Sequence, residues 1–183
     1  ILADPDRQPH VQSSPLKACA SPRVLARHIV EAWIAAGARF SGIVSSFPDG
    51  ESVPGFVLDR AQGGDLETLP APDRPFGLVL TGAWSDEELK ELSRFTNLHS
   101  LDLSGTGVST EGLEAIRRLD SLRGLTLSNT GIDDAGALRL SSLTRLKLLS
   151  LNQTMISDSG LRGLANLTSL QELSLDRTLV TDE

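Results

Sequence analysis

Residues able to do chemistry are few in this sequence, and their spacing argues for structural roles. Carboxylates stand at Asp133, Asp134, Asp158 and Asp182, and such acids could hold a hard cation. Each, however, lies beside the start of a short apolar segment, where an acid caps free helix amides and complements the helix dipole; capping is the expectation. His10, His28 and His99 are scattered, and His28 falls on the surface of a helix, so no metal site is assigned. Cys19 is the single cysteine. It can form no intrachain disulfide, its neighbours show no pattern that would lower a thiol pKa, and it fits a reducing compartment. Asn152-Gln153-Thr154 and Asn166-Leu167-Thr168 match the N-glycosylation acceptor pattern, but a sequence repeat already accounts for both threonines. Phosphate-binding glycine loops, H-E-x-x-H and C-x-x-C are absent from the sequence. The chain therefore reads as non-enzymatic, with no catalytic, metal-binding or cofactor-binding residue.

The elements that carry these residues are repeats. From Leu98 the chain reads Leu98-x-x-Leu101-x-Leu103-x-x-Thr106-x-Val108-x-x-x-Gly112-Leu113-x-x-Ile116-x-x-Leu119, and the frame restarts at Leu122, Leu146 and Leu170 with a period of 24 residues. A fixed period of this length marks a stacked solenoid. Leu125 and Leu127, two apart, share one face of a strand. Ala137, Leu140 and Leu143, spaced by three, suit a short helical or 3₁₀ segment. Each repeat is thus a strand, a turn and a short helix returning on the outside. One repeat cannot bury its apolar side chains alone; stacking shares them between neighbours. Residues 76–97 read as a degenerate copy, with Leu78 and Leu80 as the paired leucines, Trp84 in the place of Val108, and Leu89, Leu92 and Phe95 in those of Leu113, Ile116 and Leu119.

Upstream, residues 1–20 hold three prolines and no apolar period, the composition of a linker or disordered end. Ser21-Pro22 reads as a helix start, Leu25, Ile29, Ala32, Trp33 and Ala36 as its apolar stripe, and Gly37 as its stop. Two β-rich runs, Phe40 to Phe47 and Val53 to Leu58, flank Pro48-Asp49-Gly50 and predict a hairpin. Pro54 assigns its second strand to a sheet edge. Residues 59–75 are a polar, Gly/Pro-rich connection. The expected domains are a linker over 1–20, an N-terminal cap of helix, hairpin and connection over 21–75, and repeats over 76–183, with boundaries 76–97, 98–121, 122–145, 146–169 and a truncated 170–183. A start at Ile1 and a stop within a repeat read as a segment of a longer protein.

The frame resembles that of the leucine-rich repeat family, L-x-x-L-x-L-x-x-(N/C)-x-L. More narrowly, Thr106, Thr130, Thr154 and Thr178, each followed by I/V-(S/D)-D-x-G-L or a close variant, resemble the Thr-containing 24-residue repeats common in bacterial proteins. The close match covers residues 98–183, and 76–97 match weakly. The departure is at the ninth position, where the family's Asn is replaced by Thr, a hydroxyl instead of a two-ended amide. The resemblance implies an α/β solenoid: a leucine-rich repeat horseshoe with a parallel inner sheet and short outer helices, closed by a helix-plus-hairpin cap. It implies a protein-binding module, or a structural or regulatory segment of a multidomain signalling protein such as one carrying a Ser/Thr kinase.

Composition narrows the partner. Seventeen Lys and Arg against 24 Asp and Glu give a net charge of −7, unsuited to a nucleic-acid backbone. No apolar run approaches the roughly 18 residues of a membrane span. The protein or peptide partner is what the resemblance implies, with self-association through Leu170, Leu173 and Leu175 of the open C-terminal repeat as a further contact. The expected surface is the inner strand face from Asp102 to Asp176. One column there is Ser100, Gly124, Leu148 and Glu172, and another is Asp102, Thr126, Ser150 and Ser174. Leu148 is the large apolar side chain among them, and Arg123 and Lys147 stand on the rim to steer an acidic partner. All seven aromatics precede Leu98, so this face is expected to lack an aromatic anchor. The strand register makes a direct prediction: Leu125→Asp puts an unpaired carboxylate into the shared core and should abolish the cooperative melting transition of the array. A wild-type transition in that variant would place Leu125 on the opposite face.

Overall fold

The computed structural model describes residues 25–181. His10, Cys19, the Ser21-Pro22 pair and Asp182 fall outside that range, as does the 1–20 segment. Among the described residues, seven strands form one sheet in sequence order: β1 (Arg39–Ser46), β2 (Ser52–Asp59), β3 (Phe76–Thr81), β4 (Leu98–Asp102), β5 (Gly124–Thr126), β6 (Leu148–Ser150) and β7 (Glu172–Ser174). β1 and β2 pair antiparallel and every later pair is parallel. The return segments carry α2 (Asp86–Leu89), α3 (Leu113–Ile116), α4 (Asp134–Leu140) and α5 (Asp158–Gly163). This is the leucine-rich repeat solenoid, with the leucines packed between the sheet and the outer helices.

Each step of the array repeats the same backbone bonds. The amides of Leu103, Leu127 and Leu151 donate at 2.9 Å to the carbonyls of Thr126, Ser150 and Ser174 in the following repeat. Two residues on, the amides of Gly105, Asn129 and Gln153 donate to Ser128, Asn152 and Asp176 at 2.8–2.9 Å. The ladder thus continues into the turn, and the turn needs a left-handed residue there: φ is 67° at Gly105, 55° at Asn129, 56° at Gln153 and 57° at Arg177. Glycine and Asn accept this conformation readily, whereas Gln and Arg hold it against steric strain. The Thr column closes the same turn. Its hydroxyls donate three residues back, Thr106 to Leu103, Thr130 to Leu127 and Thr154 to Leu151 at 2.6 Å and Thr178 to Leu175 at 2.7 Å.

The outer face is coupled by a second pattern. In each repeat two adjacent positions stand at or just before the helix start, and the second of one repeat meets the first of the next, 23 residues on. Asp86 accepts from the Ser109 hydroxyl at 2.6 Å, Asp134 from Ser157 at 2.6 Å and Asp158 from Thr181 at 2.8 Å. At the remaining step the roles are exchanged, and the Thr110 hydroxyl donates to Asp133 at 2.9 Å. Each of these four interfaces therefore joins a carboxylate to a hydroxyl, and the Ser109 hydroxyl also lies 2.7 Å from Glu111 of its own repeat. Capping explains only part of this: Asp133 accepts from the Gly136 amide of its own helix, but Asp134 and Asp158 turn to the next repeat. Gly112 and Gly160 follow from the same contact, since a Cβ there would lie 2.3 Å from an Asp86 oxygen and 2.4 Å from an Asp134 oxygen. Hydrogen bonds hold the carboxyls of Asp133, Asp134 and Asp158 below the ordinary 3.8, chiefly through the Gly136 amide for Asp133, the Ser157 hydroxyl for Asp134 and the Thr181 amide for Asp158. A lowered folded-state pKa stabilises the array above that ordinary value, and the contribution is lost as pH falls through the lowered one.

At the N-terminal end, α1 (Arg27–Ala35) follows Ala26, which is extended (ψ 136°) and acts as the N-cap. Trp33 stacks on Phe56 at 4.3 Å between centroids, meets Phe76 and Phe95, and donates its indole N–H to the Pro70 carbonyl at 2.9 Å. These rings close the end of the leucine core. β2 is not the edge strand that Pro54 implied; β1 lies outside it. Pro54 is tolerated because its missing amide faces a β-bulge in β1 between Ser41 and Ser45, and the ladder to β3 starts only at Gly55.

The alternation of acid and hydroxyl is testable. Thr110→Asp sets two carboxylates together and should destabilise the array by about 1–3 kcal/mol in urea unfolding. Adding Asp133→Ser, which keeps a capping oxygen, should recover most of that loss.

Candidate concave binding surface

The inner columns form in the expected register. Ser100, Gly124, Leu148 and Glu172 align across four strands, and beside them Asp102, Thr126, Ser150 and Ser174. Ser128 and Ser150 hydroxyls bond at 2.9 Å, Asp102 accepts from the Ser104 amide at 2.8 Å, and Asn152 accepts from the Asp176 amide at 2.7 Å. These are short polar side chains tied into their own sheet.

The face is not evenly open. Ser100 is only 8% exposed and Gly124 is buried, whereas Leu148 and Ser150 are half-buried and Glu172 and Ser174 exposed. The cover is the chain's own β1–β2 hairpin, curled over the first repeats. Phe47 is 4% exposed, and a Cβ added to Gly124 would lie 2.9 Å from its ring. Val44 sits in the same way over Gly77, 3.1 Å from the Cβ that residue lacks. An aromatic therefore does reach the concave face, supplied by the hairpin and not by the repeats.

The rim cations are engaged by the same hairpin. Arg123 pairs with Glu51 and Lys147 with Asp49, and Lys147 also lies 3.8 Å from Glu51. The Lys147 ammonium lowers the pKa of the Asp49 carboxyl. Arg123 and Lys147, expected on the rim to steer an acidic partner, already meet acids of the chain itself, Asp49 lying 98 residues from Lys147. Beneath this rim lies a pocket of about 330 Å³ lined by Glu51, Val53, Pro54, Pro75, His99 and Arg123. Burial holds the His99 imidazole below its usual pKa, and its Nδ1 lies 3.0 Å from the Asn97 carbonyl.

Elsewhere, His28 is exposed on α1. Among the described residues there is no group of three or more His, Cys, Asp or Glu able to hold a metal, and no helix is long and apolar enough to cross a membrane.

No protein-family model matches this chain, and no curated protein does. Solved structures give distant likenesses. An internalin (InlF) of Listeria monocytogenes aligns with a TM-score of 0.41 at 19% identity, over 58% of this chain and 36% of its own. A leucine-rich repeat protein of Leptospira interrogans gives 0.41 at 21%, over 60% and 26%. Internalin C2 of Listeria monocytogenes gives 0.40 at 19%, over 85% and 66%. The chain spans under two thirds of each, and the fold stands on its own period and register.

Hairpin closure predicts a steric consequence. Gly124→Val drives a branched side chain into the Phe47 ring and should destabilise by about 1–3 kcal/mol in urea unfolding. Combining it with Phe47→Ala should cost less than the sum of the two single changes.

Proposed function

We propose that this chain is a non-catalytic interaction module that takes a protein or peptide on its concave face. The observation that carries the reading is the in-register strip of side chains from successive repeats, open from Leu148 onward. Asp102, Thr126, Leu148, Ser150, Glu172 and Asp176 would supply the contacts, and Arg123 and Lys147 the rim charge. Short side chains let a partner approach the sheet closely, and Leu148 offers apolar area near the middle. In this reading residues 21–75 cap the array and 76–183 are its repeats, divided as the 24-residue period divides them. Self-association through the last repeat belongs to the same proposal, supported by exposed Leu173 and Leu179 beside half-buried Leu170 and Leu175.

A second reading, a structural or regulatory segment of a larger signalling protein, is favoured by one observation: the hairpin already covers the face over Ser100 and Gly124.

The test is partner capture by full-length protein, comparing Leu148→Glu with the outer-face control Arg162→Glu. Leu148→Glu should reduce capture at least tenfold, while the control retains it. The reverse pattern would put the binding surface on the convex side.

A further inference from the structure

The turn between β1 and β2 has the form of a bound ligand. Its ladder ends at Ser46–Ser52, and beyond it the tip is closed by its own bonds, Phe47 N–H to the Glu51 carbonyl at 2.7 Å and Gly50 N–H to the Phe47 carbonyl at 2.9 Å. The tip thus carries a preorganised set of three side chains: an aromatic at 47 and carboxylates at 49 and 51. The concave face is complementary to each. Gly124 leaves room for the ring, Lys147 faces Asp49, and Arg123 faces Glu51.

We propose that the strip Ser100–Gly124–Leu148 with Arg123 and Lys147 is a docking site for an acidic turn of the pattern Phe-x-(Asp/Glu)-x-(Asp/Glu) on another protein, and that the β1–β2 tip is its resident occupant. The proposal rests on the concave-face reading above and names the partner's chemistry and its regulation. Two features make the resident exchangeable. The bulge between Ser41 and Ser45 interrupts the pairing of β1 with β2, which separates the outer part of the hairpin from the part built into the sheet. The two ion pairs lie at the surface, with side chains 21% to 50% exposed, where such pairs are individually weak and screened by salt. An incoming turn that makes the same ring contact and the same two pairs, and adds contact with the open Leu148–Glu172 end of the column, outcompetes the tip.

The probe is a cyclic peptide of residues 45–53, Ser-Ser-Phe-Pro-Asp-Gly-Glu-Ser-Val, closed by added terminal cysteines and followed by fluorescence anisotropy. The receptor is the full 183-residue chain carrying Phe47→Ala, Asp49→Asn and Glu51→Gln, which empties the site while leaving the sheet side intact. It should bind the peptide at least tenfold more tightly than wild type, in a salt-sensitive way, and Lys147→Glu on the same background should remove the gain. Equal affinity for a folded triple variant and wild type overturns the proposal. Hydrogen exchange on wild type gives a second reading that needs no variant. Tip amides at Phe47 and Gly50 should open faster than β5 amides and faster still in high salt; exchange at the rate of the global core in both conditions also overturns it. If these measurements fail while Leu148→Glu still abolishes capture of the natural partner, the concave-face reading survives and the resident-ligand proposal does not.

Discussion

The structure depends on one constraint: each inner strand of the array must find its hydrogen-bond partners in the strands on either side. A three-residue strand such as β5 or β6 has no stability of its own, and its amides and carbonyls are satisfied only if the next turn of the solenoid arrives in register. That requirement fixes the advance per turn. Everything placed at one position of the 24-residue frame then recurs as a line of atoms: the buried leucines, the Thr hydroxyls that close each turn, and the left-handed residue that aims its amide at the neighbour.

The ends of such an array need different solutions from its middle. At the N-terminal end of the described sheet aromatic residues replace the leucine pattern, and Trp33, Phe56, Phe76 and Phe95 pack their faces on one another. The hairpin extends this closure around the sheet edge onto the inner face. The small residues there are its counterpart: Gly77, Ser100 and Gly124 lie where Val44 and Phe47 come down. What looks like a featureless stretch of sheet is the seat of a buried interface within one chain.

The sequence made the periodic part of this fold legible and left the aperiodic part hidden. Leucines two apart define a face, and equal spacing aligns them, so the columns through Gly124, Leu148 and Glu172 follow from counting. The pairing of Glu51 with Arg123 and Asp49 with Lys147 spans 72 and 98 residues and belongs to no period. A trace of it was present, since Gly124 stands where later repeats carry Leu148 and Glu172, but a missing side chain reads equally as tolerance or as room made for another. The outer acids were visible as a class. Their division between self-capping and cross-repeat bonding was not, because it depends on which side chain reaches its neighbour 23 residues away.

The exchange of acid and hydroxyl roles at Thr110 and Asp133 gives the repeats an address. Solenoids lengthen and shorten in evolution by losing or duplicating whole units, and here the units are not equivalent. Excision of residues 146–169 would bring Asp134 onto Thr181, again an acid with a hydroxyl. Excision of 122–145 would bring Thr110 onto Ser157, two hydroxyls and no charge. Excision of 98–121 would bring Asp86 onto Asp133, two carboxylates at a site that elsewhere holds a hydrogen bond. The outer face therefore permits recombination at some joints and resists it at others, and a lineage of such arrays should record that grammar in the order of its repeats.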